Sequence, residues 1–448
     1  MSWASAASDE ASDEGKSVSD FNVVEICAGA GGQSLGLHLA GFRHRLAVEL
    51  DPTAAETLRT NMGRLHPDED MTSLVAVGDV ASEAVWQPEA HRGEVTLLAG
   101  GVPCPPFSVA GKQLGSSDER DLFAWAVNLA GRIQPEAVLL ENVRGLNDAR
   151  FGGYRQAVVD QLAAYGYVAD WKLLEARDYG VPQLRPRMVL VALRKEYVDY
   201  FEWPEPKPTS ATVSSTIAGL MGANGFPYLD EWVERADKIA PTIVGGSKKH
   251  GGADLGPTRA KRAWEAMWVD AHGLANEAPG PDWARDTNPR GPKLTVGMVK
   301  RLQGWLDEPS YEWNFTGRKT SRYRQIGNAF PPPVARAVGD SIARALRKDK
   351  ASGAPRGDLR MHDEVYHVMR DRAEYMTAYR ISNLLGGRIS VEDVEKRITL
   401  IQHDFHVEHR GPSSRRSYLL GEWKAFQGQA DHIRHEAFAE RKRRGRIS

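Results

Sequence analysis

The segment Asn22-Val-Val-Glu-Ile-Cys-Ala-Gly-Ala-Gly-Gly32 decides the fold of this chain. Its apolar start predicts a buried strand over Asn22–Cys27, and the glycines that follow predict a tight turn into a helix over Gln33–Ala40. Glycine has no side chain, so the backbone of such a turn can approach a ligand closely. A glycine-rich turn can also be only a tight connection between strand and helix. Other segments of the chain must therefore show whether this turn binds a ligand.

Further apolar runs after this segment predict the other strands of an α/β fold. They are Arg45–Leu50, Leu74–Val77, Val95–Leu98, Ala137–Leu140 and Met188–Ala192. Several are continuous runs of Val, Leu, Ile and Ala, which is typical of parallel strands covered on both faces. We therefore predict an α/β fold with a Rossmann-like, doubly wound sheet and helices on both faces.

The composition is that of a globular protein. With 448 residues and 41% hydrophobic side chains, the chain can bury a large core and divide into two or three domains. No stretch approaches the ~20 apolar residues that span a bilayer, and the N-terminus lacks the pattern of an export signal. Two cysteines give no disulfide framework and suit a reducing compartment. We expect a soluble, cytoplasmic protein.

Changes in composition predict the division of the chain into domains. Residues 1–19 are rich in Ser, Ala, Asp and Glu, and we expect a disordered acidic tail because they have too few large apolar side chains for a core. The strand-rich part covers residues 20–199. An irregular region rich in Trp, Gly, Pro and Lys covers residues 200–293, and regular character returns over residues 294–348.

A linker and an accessory extension follow. Residues 349–357 have the composition of a linker, and residues 358–448 have a polar, helical pattern. In this extension, Ser390-Val-Glu-Asp393 resembles a helix capping box. Four apolar residues then recur at helical spacing: Val391, Val394, Ile398 and Ile401. We predict a small helical or winged-helix accessory domain.

Acidic residues at two strand ends predict a nucleotide-like ligand. Glu49 ends the second strand about 20 residues after the glycine turn, at the position where ribose hydroxyls are held. Asp79 follows the third strand in Val77-Gly78-Asp79-Val80. Together with the turn, these ends indicate an adenosine-containing ligand. The chain has no Gly-x-x-x-x-Gly-Lys phosphate loop, which argues against nucleoside triphosphate hydrolysis.

Cys104 is the candidate nucleophile. It lies between Pro103 and Pro105, just past the fourth strand, and open parallel sheets bind ligands at the carboxyl ends of their strands. The next strand, Ala137–Leu140, runs into Glu141. If this strand is a neighbour of the fourth strand, the Cys104 thiol and the Glu141 carboxylate face the same crevice. Burial should raise the pKa of this carboxyl group. The alternatives are an inert, buried cysteine and a carboxylate that only caps a turn.

The segment Gln183-Leu-Arg-Pro-Arg187 contributes two cations. In extended backbone, alternate residues share a face, so Gln183, Arg185 and Arg187 should point the same way. Buried guanidinium groups need anionic or carbonyl oxygens as partners. Structural ion pairs would satisfy them, but we expect at least one arginine to contact substrate.

Taken together, these segments resemble the cytosine-C5 DNA methyltransferases, of the bacterial restriction-modification type. The resemblance runs in order along nearly all of residues 21–346. The motifs that carry it are Glu25–Gly32, Pro103-Cys104 with Phe107-Ser108, Glu141-Asn142-Val143, Gln183-x-Arg185-x-Arg187, Leu294-Thr295 to Gly304, and Arg324-Gln-Ile-Gly-Asn-Ala-Phe-Pro331. Each motif alone is modest evidence, whereas six in the family's order are highly specific.

The resemblance implies a mechanism and a cofactor. The thiolate of Cys104 would add to C6 of a flipped cytosine, and C5 would then take a methyl group from S-adenosyl-L-methionine. Glu141 would contact N3 of the base, and Arg187, with Arg185 nearby, would hold the base through O2. No metal is implied.

The resemblance also implies the residues that bind the cofactor. They are Cys27, Ala28, Gly29, Gly31, Gly32, Glu49, Asp79, Val80, Asn328 and Ala329. Two features depart from the family pattern. Cys27 stands where an aromatic side chain commonly stacks on adenine, and Gly304-Trp-Leu-Asp-Glu-Pro309 replaces a Gly-Phe-Pro-Asp-like turn.

DNA contacts are expected in two places. The net charge of −1 gives no general sign of nucleic-acid binding, so such surfaces must be local. By resemblance, the polar stretch Ser108–Asp121 is a loop that closes over flipped DNA, and residues 200–293 read the DNA sequence. The expected contacts are Ser108, Lys112, Gln113, Lys248, Lys249, Arg259, Lys261 and Arg262. Such charge runs are otherwise solvated surface.

The implied partners are double-stranded DNA and a cognate restriction endonuclease that acts on the same site, and we expect a monomer. One alternative is an RNA cytosine-C5 methyltransferase, but the related transfer-RNA enzymes typically have a shorter variable region. The unrelated RNA enzymes need a second catalytic cysteine, and Cys27 is in the wrong context for that. Another alternative is a non-catalytic DNA-binding homologue, against which Cys104, Glu141 and Arg187 speak.

Overall fold

The computed structural model describes residues 21–103, 122–148, 151–208, 210–245, 253–349, 362–412 and 415–424. The predicted acidic tail and most of the predicted linker lie outside these residues. Six predicted site residues also lie outside them: Cys104, Ser108, Lys112, Gln113, Lys248 and Lys249.

A seven-stranded sheet organises the described part of the chain. Its strands are β1 (Asn22–Ile26), β2 (Arg43–Glu49), β3 (Val75–Val77), β4 (Leu97–Gly101), β5 (Ala137–Val143), β6 (Tyr167–Glu175) and β7 (Pro186–Arg194). The strand order is β3-β2-β1-β4-β5-β7-β6. Neighbours pair in parallel except at β7, which is antiparallel to β5 and β6. The predicted α/β sheet is confirmed.

Strand β6 is the one strand of this sheet that the sequence analysis missed. Its residues alternate between buried and partly exposed along most of the strand, as at the edge of a sheet. The prediction relied on continuous apolar runs, which only strands covered on both faces require.

Helices cover both faces of the sheet. The helices of the described residues between 21 and 349 are α1 (Gly32–Leu39), α2 (Pro52–Leu65), α3 (Met71–Leu74), α4 (Leu122–Ile133), α5 (Gly152–Ala164), α6 (Lys195–Val198), α7 (Val213–Met221), α8 (Leu229–Arg235), α9 (Thr258–Glu265), α10 (Val296–Leu302), α11 (Lys319–Asn328) and α12 (Pro332–Leu346). Side chains of α4 and α5 share one hydrophobic cluster with the sheet. Those of α1 and α12 share another on the opposite face.

The described part of the region between residues 200 and 293 contains the three short helices α7, α8 and α9, and it has an apolar core. Trp232 and Trp264 are fully buried. They belong to one hydrophobic cluster with Leu58 of α2 and Ile326 of α11. This region therefore packs directly against helices that surround the cofactor turn.

The C-terminal part combines three helices with a small sheet. Its elements are α13 (Glu364–Arg372), β8 (Met376–Thr377), α14 (Ala378–Leu384), α15 (Val391–Ile401), β9 (Phe405–Arg410) and β10 (Ser417–Trp423), and the strand order is β8-β10-β9. Ser390 caps α15 by accepting a hydrogen bond from the Asp393 amide. In the described residues, none of the helices is long and apolar enough to cross a membrane.

Candidate active site

A cavity of about 460 Å³ opens where β1, β2, β4 and β5 end. Its volume lies within the range of small-molecule sites. Nine of the residues predicted to bind a cofactor line it: Cys27, Ala28, Gly29, Gly32, Glu49, Asp79, Val80, Asn328 and Ala329. Glu141 and Pro103 line the same cavity, so the predicted cofactor and catalytic regions meet there.

The turn after β1 has an unusual backbone. Cys27 adopts a φ of 51° and Gly29 a φ of 58°, a left-handed conformation that favours glycine. A Cβ atom at Gly29 would meet nothing within 4 Å, so the backbone there leaves open space. Gly31 does not line the cavity. A Cβ atom at Gly31 would lie 2.3 Å from Cζ2 of Trp313, so this glycine is required by packing.

Glu49 connects the end of β2 to this turn. Its Oε2 accepts a hydrogen bond from the Gly29 amide at 2.8 Å, and its Oε1 accepts one from the Asp51 amide at 2.7 Å. Burial raises the pKa of the Glu49 carboxyl group, and these backbone hydrogen bonds oppose that shift. The side chain is therefore oriented before any ligand binds.

Glu141 and Arg187 form the second part of the site. Arg187 Nε lies 2.6 Å from Glu141 Oε1, and both side chains are almost buried. Burial raises the pKa of Glu141 and lowers that of Arg187, while the attraction between the two opposes both shifts. Glu141 pairs with Gly101 in the β4–β5 register. The expected neighbouring of these two strands is confirmed.

Asn142 connects the Glu141 strand to the segment that leads to Cys104. Its side-chain amide donates a hydrogen bond to the Val102 carbonyl at 3.1 Å. The bond holds the backbone two residues before Cys104, which itself lies outside the described residues. Sequence reasoning had assigned no role to Asn142.

Arg185 has a different environment from Arg187. It is 1% exposed, and its guanidinium donates hydrogen bonds to the carbonyls of Ile243, Gly327 and Ala329. Burial lowers its pKa well below the usual value. Arg185 thus joins the segment just before β7 to the 200–293 region and to the end of α11, whereas Arg187 pairs with Glu141.

Replacing Arg185 with methionine is expected to destabilise the protein strongly. The carbonyls of Ile243 and Gly327 would lose this donor, whereas the Ala329 carbonyl keeps a hydrogen bond from Gln303. Each buried group left unsatisfied costs about 1–3 kcal/mol. We expect a loss of about 3–5 kcal/mol in the free energy of unfolding. Chemical denaturation measures this loss. Arg177→Met, at a half-exposed arginine, is the control and should change little. Equal stability of the two variants would contradict the structural role.

Several cavity residues were not predicted from the sequence. Leu50 is 61% exposed although it is a large apolar side chain, and it follows Glu49 directly. Both side-chain polar atoms of Gln33 and Oε1 of Glu25 are buried without a partner in the described residues, and both residues line the cavity. Arg324 of α11 lines it too. Leu50 follows Glu49, and Glu25 and Arg324 begin two of the motifs that carry the resemblance, so these three positions offered a signal.

The predicted DNA contacts in the described residues lie on or beside α9. Arg259 and Arg262 are exposed, whereas Lys261 pairs with Asp254 at 2.8 Å. Within the described part of the chain, no three His, Cys, Asp or Glu side chains lie together as a metal site.

Comparison with known proteins agrees with the geometry. The model of the C-5 cytosine-specific DNA methylase family matches residues 21–344. The chain is 54% identical over 418 residues to the Type II methyltransferase M.NaeI of Lentzea aerocolonigenes, covering 93% of this chain and 97% of that protein. It is 46% identical over 334 residues to the Type II methyltransferase M.NgoMIV of Neisseria gonorrhoeae, covering 73% of this chain and 99% of that protein.

The two relatives differ in how much of this chain they match. The alignment with the Neisseria protein covers 73% of this chain, so over a quarter of the chain is unmatched. The alignment with the Lentzea protein covers 93% of this chain, so it must include some of the C-terminal part. The family model itself spans the sheet, the cavity and α11. The chain therefore belongs to the C-5 cytosine-specific DNA methylase family and is a DNA (cytosine-5-)-methyltransferase.

Proposed function

We propose that this enzyme methylates C5 of one cytosine within a specific short sequence of duplex DNA, through a covalent bond between Cys104 and C6. The observation that carries the proposal is the Glu141–Arg187 pair beside the end of β4, since Glu141 lines the cavity that Glu49 also lines and Arg187 pairs with it at 2.6 Å. This arrangement places an acid, a cation and a nucleotide-type site at one edge of the sheet.

The residues of the cavity fit S-adenosyl-L-methionine. Two backbone amides orient the Glu49 carboxylate, which can then accept hydrogen bonds from ribose hydroxyls. Asp79 lies at the end of the neighbouring strand and lines the same cavity. The open space at Gly29 and the unpartnered polar atoms of Gln33 are suited to a polar ligand. Leu50 offers an apolar surface near Cys27, where the family commonly has an aromatic side chain. The cofactor supplies the methyl group.

The proposed roles of the protein groups follow from their chemistry. Cytosine C5 is a poor nucleophile, and addition of the Cys104 thiolate to C6 makes it enamine-like. Glu141 holds the proton on N3 during this addition, because burial favours its protonated form. Arg187 holds the base through O2 and supports the thiolate with its charge. After methylation, a base removes the C5 proton, and the bond from Cys104 to C6 breaks.

Arg185 is assigned a positioning role in this proposal. Its three backbone hydrogen bonds connect the segment just before β7 to Ile243, Gly327 and Ala329, and Ala329 lines the cavity. It contacts neither the base nor the cofactor directly. The sequence-based expectation of a base contact is thus kept for Arg187 alone.

Access to C5 and C6 requires that the target cytosine leave the duplex, because both atoms are stacked in DNA. We propose that the loop Ser108–Asp121, with Ser108, Lys112 and Gln113, closes over the flipped base. Residues 200–293, with Lys248, Lys249, Arg259 and Arg262, would read the sequence. Lys261 is a weaker candidate because Asp254 already pairs with it.

The biological role follows from the relatives. Since M.NaeI and M.NgoMIV are named Type II methyltransferases, we propose that this enzyme protects DNA in a restriction-modification system, together with a cognate endonuclease. We further propose that it acts as a monomer in the bacterial cytoplasm.

Glu49→Gln is expected to weaken cofactor binding. The amide nitrogen of glutamine is a donor, so it cannot accept hydrogen bonds from both the Gly29 and Asp51 amides. Loss of one bond to a charged group costs about 1.5–3 kcal/mol, which is roughly a tenfold to hundredfold rise in Kd. Calorimetry with S-adenosylhomocysteine measures it. The control Glu56→Gln, at an exposed carboxylate of α2, should bind normally. Unchanged affinity in Glu49→Gln would exclude Glu49 from the cofactor site.

The proposed function is tested by methyl transfer from labelled S-adenosyl-L-methionine to duplex DNA and to RNA. Methylation-aware sequencing of DNA from cells that express the gene identifies the cytosine and its sequence context. Transfer to RNA alone would favour the RNA alternative. Sequence-specific DNA binding without transfer would favour the non-catalytic alternative.

A further inference from the structure

The C-terminal part has the element order of a winged helix. Helix α13, the short strand β8, helices α14 and α15, and the hairpin of β9 and β10 follow one another, and β10 lies between β8 and β9 in the sheet. In this arrangement α14 and α15 form a helix-turn-helix pair, and the β9–β10 hairpin is the wing. We call the described residues 405–412 and 415–423 the wing below.

This domain is docked on helix α5. Arg370 of α13 pairs with Asp160 of α5 at 2.8 Å, and Tyr366 donates a hydrogen bond to the same carboxylate. Trp423 of the wing packs against Tyr154 with ring centroids 6.0 Å apart. Helix α5 begins shortly after β5 ends, so its first turns lie at the edge of the sheet that carries Glu141. The docked domain therefore extends that edge of the molecule.

The charges of its helical half are largely neutralised within the protein. Most of its cations have carboxylate partners: Arg370, Arg380, Arg388, Lys396 and Arg397. The exposed side of α15 also carries Glu392, Asp393 and Glu395 in its first turns. A helix with these carboxylates is poorly suited to lie in a DNA groove between phosphates.

The wing has a small excess of positive charge, with three arginines against the two exposed carboxylates Glu408 and Glu422. Arg410 and Arg415 are exposed, and within the described residues neither has a carboxylate at ion-pairing distance. The Arg410 guanidinium lies 3.9 Å from the ring centroid of Tyr375, whose hydroxyl donates a hydrogen bond to Glu408. Stacking of this kind holds a guanidinium in place, which lowers the entropy lost when it binds phosphate.

We propose that the wing contacts the phosphate backbone of the DNA that flanks the methylated site, with Arg410 and Arg415 as the contacting residues. The proposal rests on the proposed action on duplex DNA and extends it to a second surface. Binding is by charge and is independent of sequence, so it adds affinity for long DNA but no specificity. The wing, and not helix α15, is the DNA-contacting element.

The test compares two duplexes that carry the same methylation site. One is just long enough for the site, and the other extends about 20 bp further on each side, or about two helical turns. Affinity is measured over a range of salt concentrations for wild type and for the double variant Arg410→Ser with Arg415→Ser. We expect the salt dependence of log K on the long duplex to fall by about 2, because each phosphate contact contributes about 0.9. The short duplex should bind both proteins equally.

Two control variants separate charge from structure. Arg380→Ser with Arg388→Ser removes the same charge from the helical half and should leave the salt dependence unchanged. Arg410→Lys with Arg415→Lys keeps the charge and should retain the wild-type salt dependence.

The proposal is overturned if the double serine variant binds the long duplex like wild type. It is also overturned if the lysine variant fails in the same way as the serine variant, since the arginines would then be structural. Methyl transfer to the short duplex reports on the proposed function separately. Its absence in the wild-type enzyme would contradict that function and not the wing contact.

Discussion

Replacing Cys104 with serine should reduce methyl transfer to below about one thousandth of the wild-type rate, as for loss of a nucleophile in other enzymes. A serine hydroxyl is hardly ionised at neutral pH. A thiol with a pKa of about 8.5 is a few per cent thiolate, and a nearby cation raises the thiolate fraction. DNA binding and cofactor binding should remain, because the substitution removes only the attacking atom.

Covalent trapping gives this prediction a second readout. DNA with 5-fluorocytosine at the target should form a stable adduct with the wild-type enzyme, because the C5 fluorine cannot be removed as a proton is. Cys104→Ser should form none. Cys27→Ser removes the other cysteine of the chain and should still form the adduct. Near wild-type activity of Cys104→Ser would refute the assignment of the nucleophile.

Glu141→Gln should lower kcat by roughly 10²- to 10⁴-fold, the usual contribution of a general acid. Glutamine keeps the size of the side chain and an oxygen for Arg187, but its amide cannot hold and return a proton. Single-turnover methylation measures the loss, and thermal unfolding confirms the fold. Glu136→Gln, just before the other end of β5, is the matched control and should retain activity. A fully active Glu141→Gln would remove Glu141 from the mechanism.

The pH dependence of the two enzymes should also differ. Burial raises the pKa of Glu141, so the protonated form persists to higher pH than for an exposed glutamate. In the wild type, kcat/KM should therefore fall as pH rises through the pKa of Glu141 in the folded enzyme. Glutamine does not ionise, so this decline should be absent from the residual activity of Glu141→Gln. If both profiles decline in the same way, another group is responsible.

The order of elements and the cofactor turn could be predicted because their signals are local. Continuous apolar runs mark strands covered on both faces, and Glu49 and Glu141 come at the ends of such runs. The same reasoning missed β6, whose alternating pattern is typical of an edge strand. For the extension it left two forms open, helical or winged-helix, and the three-stranded sheet β8-β10-β9 agrees with the second.

The sequence by itself determined the family, the sheet and the residues that end its strands, since these depend on residue types in contiguous segments. Alternation along an extended segment places Arg185 and Arg187 on the same face. Only the tertiary structure showed which of them pairs with Glu141. Arg187 meets Glu141 across the β5–β7 pair, whereas Arg185 finds carbonyls 58 and 142 residues away in the sequence. Which partner a buried guanidinium obtains depends on the segments that the fold packs around it, and no local pattern carries that information.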